Sequence, residues 1–105
     1  MKKVYNKAIR DKIPEIIKAT GNRCLIKKLA DPEFLVELEK KLTEELEEYL
    51  KSRSLEELCD IIEISMRIAE LHGVSNPELE RIRKEKNVER GGFSKNLFLV
   101  EVDER

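Results

Sequence analysis

Aromatic residues, cysteines and long apolar runs are all scarce in this chain. It has no Trp, and aromatic residues make up 5% of its 105 residues. Its core must therefore be built mainly from Leu and Ile. No apolar stretch approaches the ~20 residues needed to span a bilayer. The start, MKKVYNKAIRDK, is not followed by an apolar run, so we expect neither a membrane helix nor a secretory signal.

The cysteine content and the length limit the class of protein further. Cys24 and Cys59 fit neither a zinc-ligand spacing nor a disulfide framework. They predict reduced thiols and a cytoplasmic location. The length suits a single core, so we expect residues 1–105 to form one domain.

Charged residues are abundant, at 41% of the chain, and their signs are unevenly distributed. Residues 1–31 carry nine Lys/Arg against three Asp/Glu, residues 32–80 five against fourteen, and residues 81–105 seven against five. This arrangement suits a site for a phosphate ligand that brings a divalent cation, and it also suits an ordinary solvated surface. The net charge of −1 and the absence of a recognised motif argue against nucleic-acid binding.

Start and stop signals predict an all-α fold. Asp31-Pro32 and Asn76-Pro77 are typical helix starts, and Gly73 is a typical helix end. The break near Ser54 is short, so the two central helices should form an antiparallel hairpin within a four-helix-type bundle. An optional two-stranded β element is predicted from two apolar segments. The predicted helices cover about 7–19, 32–52, 54–72 and 76–86, and the predicted strands 24–29 and 97–102. Pro14 indicates that the first helix begins near Lys12 or is kinked there.

Helical periodicity, at ~100° per residue, separates inward-facing acids from outward-facing ones. Glu45 falls within the apolar stripe of the first hairpin helix, and Glu48 lies on its flank. Glu57 and Asp60 fall within an apolar face of the second helix. The predicted outward set is Glu44, Glu47 and Glu56.

Folding of the hairpin should bring the four inward acids level with one another. Four adjacent carboxylates repel, so at least one should have a raised pKa unless a cation lies between them. Oxygen ligands favour Mg²⁺, with Mn²⁺ as the alternative. Local explanations exist beside this one: Glu57 with Ser54 matches a capping box, and Glu-rich helix faces are commonly solvated. The predicted metal ligands are Glu45, Glu48, Glu57 and Asp60.

The pattern E-x-x-E followed by E-x-x-D resembles the helical hairpin of the MazG-like, all-α nucleoside triphosphate pyrophosphohydrolase superfamily. The stretches YNKAIRDKIPEII at 5–17 and ERGGFSKNLFLVEV at 89–102 are similar to its phosphoribosyl-ATP pyrophosphohydrolase-like branch. The resemblance implies Mg²⁺-dependent hydrolysis of a nucleoside triphosphate to the monophosphate and pyrophosphate, in a house-cleaning role. Phosphoribosyl-ATP is the alternative substrate.

The resemblance also implies roles for individual residues. Glu45 and Glu48 are expected to be catalytic as well as metal-binding. Cations from the basic segments are expected to hold the nucleotide phosphates. This predicted substrate-binding set is Lys7, Arg10, Lys12, Lys86 and Arg90.

A non-catalytic helical interaction module is the main alternative from another functional class. The second hairpin helix has two apolar faces, which predicts packing on both sides. We therefore expect a homodimer or a dimer of dimers, with Ile61, Ile64 and Ile68 buried in the contact near the acids. Such association is compatible with either function.

Overall fold

The computed structural model describes residues 1–104, which contain four α-helices and no strand. The all-α prediction is confirmed. No helix in this part of the chain combines the length and the apolar character that crossing a membrane requires. The helices are α1 (Ile13–Ala19), α2 (Asp31–Ser52), α3 (Leu55–Leu71) and α4 (Asn76–Arg90).

Helices α2 and α3 form the predicted hairpin, with bounds within one residue of those expected. After α2, Arg53 adopts the left-handed conformation, with φ of 58°, and turns the chain. The Ser54 hydroxyl then accepts a hydrogen bond from the backbone N–H of Glu56 at 3.2 Å, which caps α3. Only Arg53 and Ser54 separate the helices, so α2 and α3 lie antiparallel and side by side.

The core is small and lies between the hairpin helices and the N-terminal segment. Ala8, Leu38 and Ile64 are its buried apolar residues among those described. Partly buried side chains extend it along the hairpin, namely Phe34, Leu42, Ile68 and Leu71. Ala8 therefore attaches the irregular N-terminal segment to α2 and α3.

The optional β element does not form, which corrects that part of the fold prediction. Residues 24–29 and 97–102 have no regular structure. Leu25 is 99% exposed and Phe98 is 88% exposed. A two-stranded pair is marginally stable unless it packs on another element, and these side chains have no such surface beneath them.

The chain is much more extended than a compact domain of the same length, so its helices do not close into a compact bundle. Its radius of gyration is 18.4 Å, whereas a compact chain of this length has about 13 Å. Its accessible surface is 9945 Å², against about 6,100 Å² for a compact monomer of this mass. Helix α4 packs on α3 but contributes no buried residue. Much apolar surface is therefore left uncovered within one chain.

The hairpin has two unlike sides, because acids and leucines occur two residues apart in both helices. Two residues correspond to about 200° around a helix axis, which places them on opposite sides. We call these the acidic side and the apolar side. The acidic side carries Glu44, Glu48 and Asp60, and the apolar side carries Leu46, Leu50, Leu55, Leu58 and Ile62.

Candidate metal centre

Three glutamates of α2 form a group that can hold a metal ion. One carboxylate oxygen from each of Glu44, Glu45 and Glu48 lies within 4.8 Å of the others. Glu44 and Glu48 are four residues apart and so lie one turn apart on the same face. Glu45 is buried, Glu44 is half-buried and Glu48 is exposed. The group therefore runs from the hairpin interior to the solvent, which leaves it open on one side.

Glu45 is the unusual member of the group, because its side chain is only 5% exposed. Oε1 lies 3.6 Å from Lys41 Nζ. Oε2 is buried and has no hydrogen-bond partner among the described residues. A buried carboxylate oxygen without a partner costs free energy, which a bound cation would recover.

The surroundings of Glu45 disfavour its ionised form. Burial raises the pKa of Glu45, and the nearby carboxylates of Glu48 and Asp60 raise it further. Lys41 opposes these effects without cancelling them. The direction agrees with the predicted raised pKa, but burial, and not repulsion among the carboxylates, is its largest cause.

Helix α3 supplies Asp60 to the acidic side, opposite Glu45. Its Oδ1 accepts a hydrogen bond from Arg10 Nη2 at 2.5 Å. This hydrogen bond raises the pKa of the Arg10 guanidinium. Asp60 thus lies near the group of three glutamates while it also carries an ion pair to the N-terminal segment.

Of the four predicted ligands, Glu45 and Glu48 belong to the group of three glutamates, whereas Asp60 and Glu57 do not. Glu57 Oε2 accepts a hydrogen bond from Ser52 Oγ at 3.3 Å, across the turn of the hairpin. The capping box with Ser54, which was the local alternative for Glu57, is not formed, because the Ser54 backbone N–H donates to Ser52 Oγ at 3.1 Å. Glu57 is not part of the group formed by Glu44, Glu45 and Glu48.

Two of the five predicted phosphate-binding cations lie on the acidic side. Lys7 Nζ is 3.2 Å from Glu44 Oε1, and Arg10 pairs with Asp60. Lys12, Lys86 and Arg90 are exposed. Within residues 1–104, no ion pair or hydrogen bond joins these three to the acids of the group.

Helical periodicity predicts an outward position for Glu44, whereas the structure brings its carboxylate into the group. The signal that could have found it is its spacing of four residues from Glu48, which makes the two neighbours on the helix surface. Lys41 was also not predicted to take part. Its spacing of four residues from Glu45 gives the same kind of signal.

The donor set suits a hard divalent cation. Carboxylate oxygens in an open arrangement match the preference of Mg²⁺ and Mn²⁺ for oxygen ligands with some coordination positions left to water. No protein-family model, curated protein or solved structure matches this chain.

Proposed function

We propose that this protein is a metal-dependent hydrolase that splits a nucleoside triphosphate into the monophosphate and pyrophosphate. The observation that carries the proposal is the buried Glu45, with one unpartnered oxygen, beside Glu44 and Glu48. A divalent cation bound to these carboxylates would give the unpartnered Glu45 oxygen a ligand to contact. The resemblance of the E-x-x-E and E-x-x-D pattern to the pyrophosphohydrolase hairpin supports the choice of reaction.

In the proposed mechanism, Glu45, Glu48 and Glu44 would hold Mg²⁺ or Mn²⁺ on the acidic side. When bound, the ion supplies charge neutralisation for the phosphates and lowers the pKa of a water ligand. Glu48 is exposed at the open edge of the group, where it can accept a proton from an attacking water. Lys7 and Arg10 lie beside the group and can donate hydrogen bonds to phosphate oxygens.

The remaining predicted residues lie outside the group formed by Glu44, Glu45 and Glu48. Asp60 faces Glu45 and can join the coordination if Arg10 releases it. Glu57 can do so only if it leaves Ser52. Lys12, Lys86 and Arg90 remain candidates for contact with the nucleotide, since they are exposed. Cys24 and Cys59 are free thiols, which supports the proposed cytoplasmic location.

A panel of nucleoside triphosphates, incubated with the protein and Mg²⁺, tests the proposed reaction. We expect stoichiometric monophosphate and pyrophosphate from at least one nucleotide, with no orthophosphate as the first product. Phosphoribosyl-ATP belongs in the panel as the alternative substrate. Hydrolysis that continues unchanged in excess EDTA, or no hydrolysis of any nucleotide in the panel, would contradict the proposal.

Association with a second copy is favoured by a separate observation, the uncovered apolar side of the hairpin. Leu50 is 54% exposed, Leu55 74% and Ile62 60%. These side chains form an apolar surface on the hairpin that the single chain leaves uncovered. A second copy of the same chain is always present at an equal concentration. Stable interfaces bury about 800 Å² or more on each chain. We therefore propose a homodimer or dimer of dimers joined through the apolar side.

The proposed contact differs from the one that the sequence suggested. Ile64 is 7% exposed and already belongs to the core of the single chain. Ile61 and Ile68 are half-buried. A contact through the apolar side leaves the acidic side open to solvent, so association and cation binding do not compete.

Charged substitution on the apolar side tests the proposed association. Leu58→Glu should convert the oligomer into monomers, because a charge would otherwise be buried in the contact. The loss of the contact should also lower the melting temperature of the protein. Leu25→Glu is the matched control, since Leu25 is 99% exposed outside the helices. Sedimentation equilibrium measures the mass. A wild-type monomer, or equal effects of both substitutions, would contradict the proposed contact.

A further inference from the structure

The N-terminal segment crosses the acidic side and brings two cations to it. Ala8, which is 6% exposed, anchors the segment against Leu38 and Ile64. On either side of this anchor, Lys7 pairs with Glu44 of α2 and Arg10 pairs with Asp60 of α3. Each helix of the hairpin therefore receives one positive charge from the same short segment.

The two ion pairs involve the acids that flank Glu45. Glu44 belongs to the group of three glutamates, and Asp60 is the nearby acid of α3. Lys7 and Arg10 supply two positive charges, the same charge as one divalent cation. Neither cation reaches Glu45 Oε2, which stays without a hydrogen-bond partner in the described chain. The segment thus balances the charge at the edge of the group and leaves its buried oxygen for another ligand.

We propose that Lys7 and Arg10 are exchangeable counter-ions of the acidic side. They pair with Glu44 and Asp60 while the cation site is empty, compete with a divalent cation for these acids, and turn to phosphate once the cation is bound. This inference rests on the proposed function for the nature of the phosphate ligand. It adds a competition between these two side chains and the divalent cation, which a simple phosphate-binding role would not produce.

The ion pairs are suited to exchange because they are open to water. The side chains of Lys7 and Glu44 are 38% and 34% exposed, and those of Arg10 and Asp60 are 53% and 34% exposed. Pairs of this kind contribute little to stability and break readily. The anchor at Ala8 keeps both side chains close to the acids after they separate.

Lys7→Met and Arg10→Met should therefore bind Mn²⁺ more tightly than the wild type in the absence of nucleotide. Each substitution removes a competing cation, and the expected gain in affinity is about two- to fivefold, as for one exposed ion pair. Lys18→Met is the matched control, because it removes one charge at the exposed end of α1. Mn²⁺ binding is followed by the loss of the free-ion electron paramagnetic resonance signal, and circular dichroism verifies folding.

The proposed turn of Lys7 and Arg10 to phosphate is tested by measuring the binding of inorganic triphosphate at saturating Mn²⁺. Lys7→Met and Arg10→Met should weaken triphosphate binding, although both strengthen Mn²⁺ binding. Equal or weaker Mn²⁺ binding by the two variants, with normal wild-type binding, would overturn the exchange and leave the proposed function intact. Triphosphate binding that is unchanged in both variants would also overturn it. Absence of Mn²⁺ binding by every protein, wild type included, would overturn both proposals.

Discussion

Millimolar Mg²⁺ is expected to raise the melting temperature of this protein at neutral pH and to raise it much less at pH 4. The proposed site would bind the ion only in the folded chain, so binding would stabilise the folded state by mass action. At a concentration ten times the dissociation constant the gain is about 1.4 kcal/mol. For a domain of this size that corresponds to roughly 6 to 11 °C. Differential scanning calorimetry measures the shift.

The pH dependence follows from the direction of the pKa shift at Glu45. Its pKa lies above the ordinary value of 4.5 because of burial and neighbouring carboxylates. The folded state therefore holds this proton more tightly than the unfolded state does. Without metal, the contribution of Glu45 to stability falls as pH rises from the ordinary value through the raised one. Mg²⁺ needs the ionised carboxylates, so its benefit disappears at low pH.

Two comparisons separate this effect from general ionic screening. NaCl at equal ionic strength should produce little of the Mg²⁺ effect, since it cannot occupy a site of several carboxylates. Glu45→Gln should stabilise the metal-free protein at neutral pH and flatten the pH dependence, while it removes most of the Mg²⁺ response. An equal shift with NaCl, or an undiminished Mg²⁺ response in Glu45→Gln, would show that the ion acts elsewhere.

The hairpin could be predicted from sequence because its signals are local. Pro32, the break at Ser54 and the spacing of apolar residues fix where α2 and α3 begin and end. The inward position of Glu45 follows from the same periodicity, and the structure places it among the buried residues. Such features depend on helix geometry alone, so they can be predicted without knowledge of the tertiary contacts.

The remaining features depend on contacts that no local pattern encodes. The apolar segments at 24–29 and 97–102 have β-like composition, but they form no strands because nothing in the single chain packs beneath them. Glu57 sits at an inward position, yet Ser52 holds its carboxylate at the turn. The place of Glu44 in the group depends on how far its side chain swings along the helix surface, which an angular position does not give.

Substitutions within the group should have much larger effects than identical substitutions outside it. Glu45→Gln and Glu48→Gln should each lower pyrophosphate release by about 10²-fold or more, because each removes a proposed metal ligand or the proposed proton acceptor. Glu44→Gln should also impair release, which reverses the expectation from sequence. Glu47→Gln is the matched control on the same helix, since Glu47 is exposed and outside the group. Its release rate should stay within about twofold of the wild type, as for a surface charge.

Calorimetric titration of Mn²⁺ into the wild type, Glu45→Gln and Glu47→Gln tests the cation site most directly, without any assumption about the nucleotide. The proposed site predicts saturable binding by the wild type that Mg²⁺ displaces. Glu47→Gln should bind equally well, and Glu45→Gln should bind at least about tenfold more weakly, a loss of about 1.4 kcal/mol. No saturable binding by the wild type, or equal binding by Glu45→Gln and Glu47→Gln, would contradict the site.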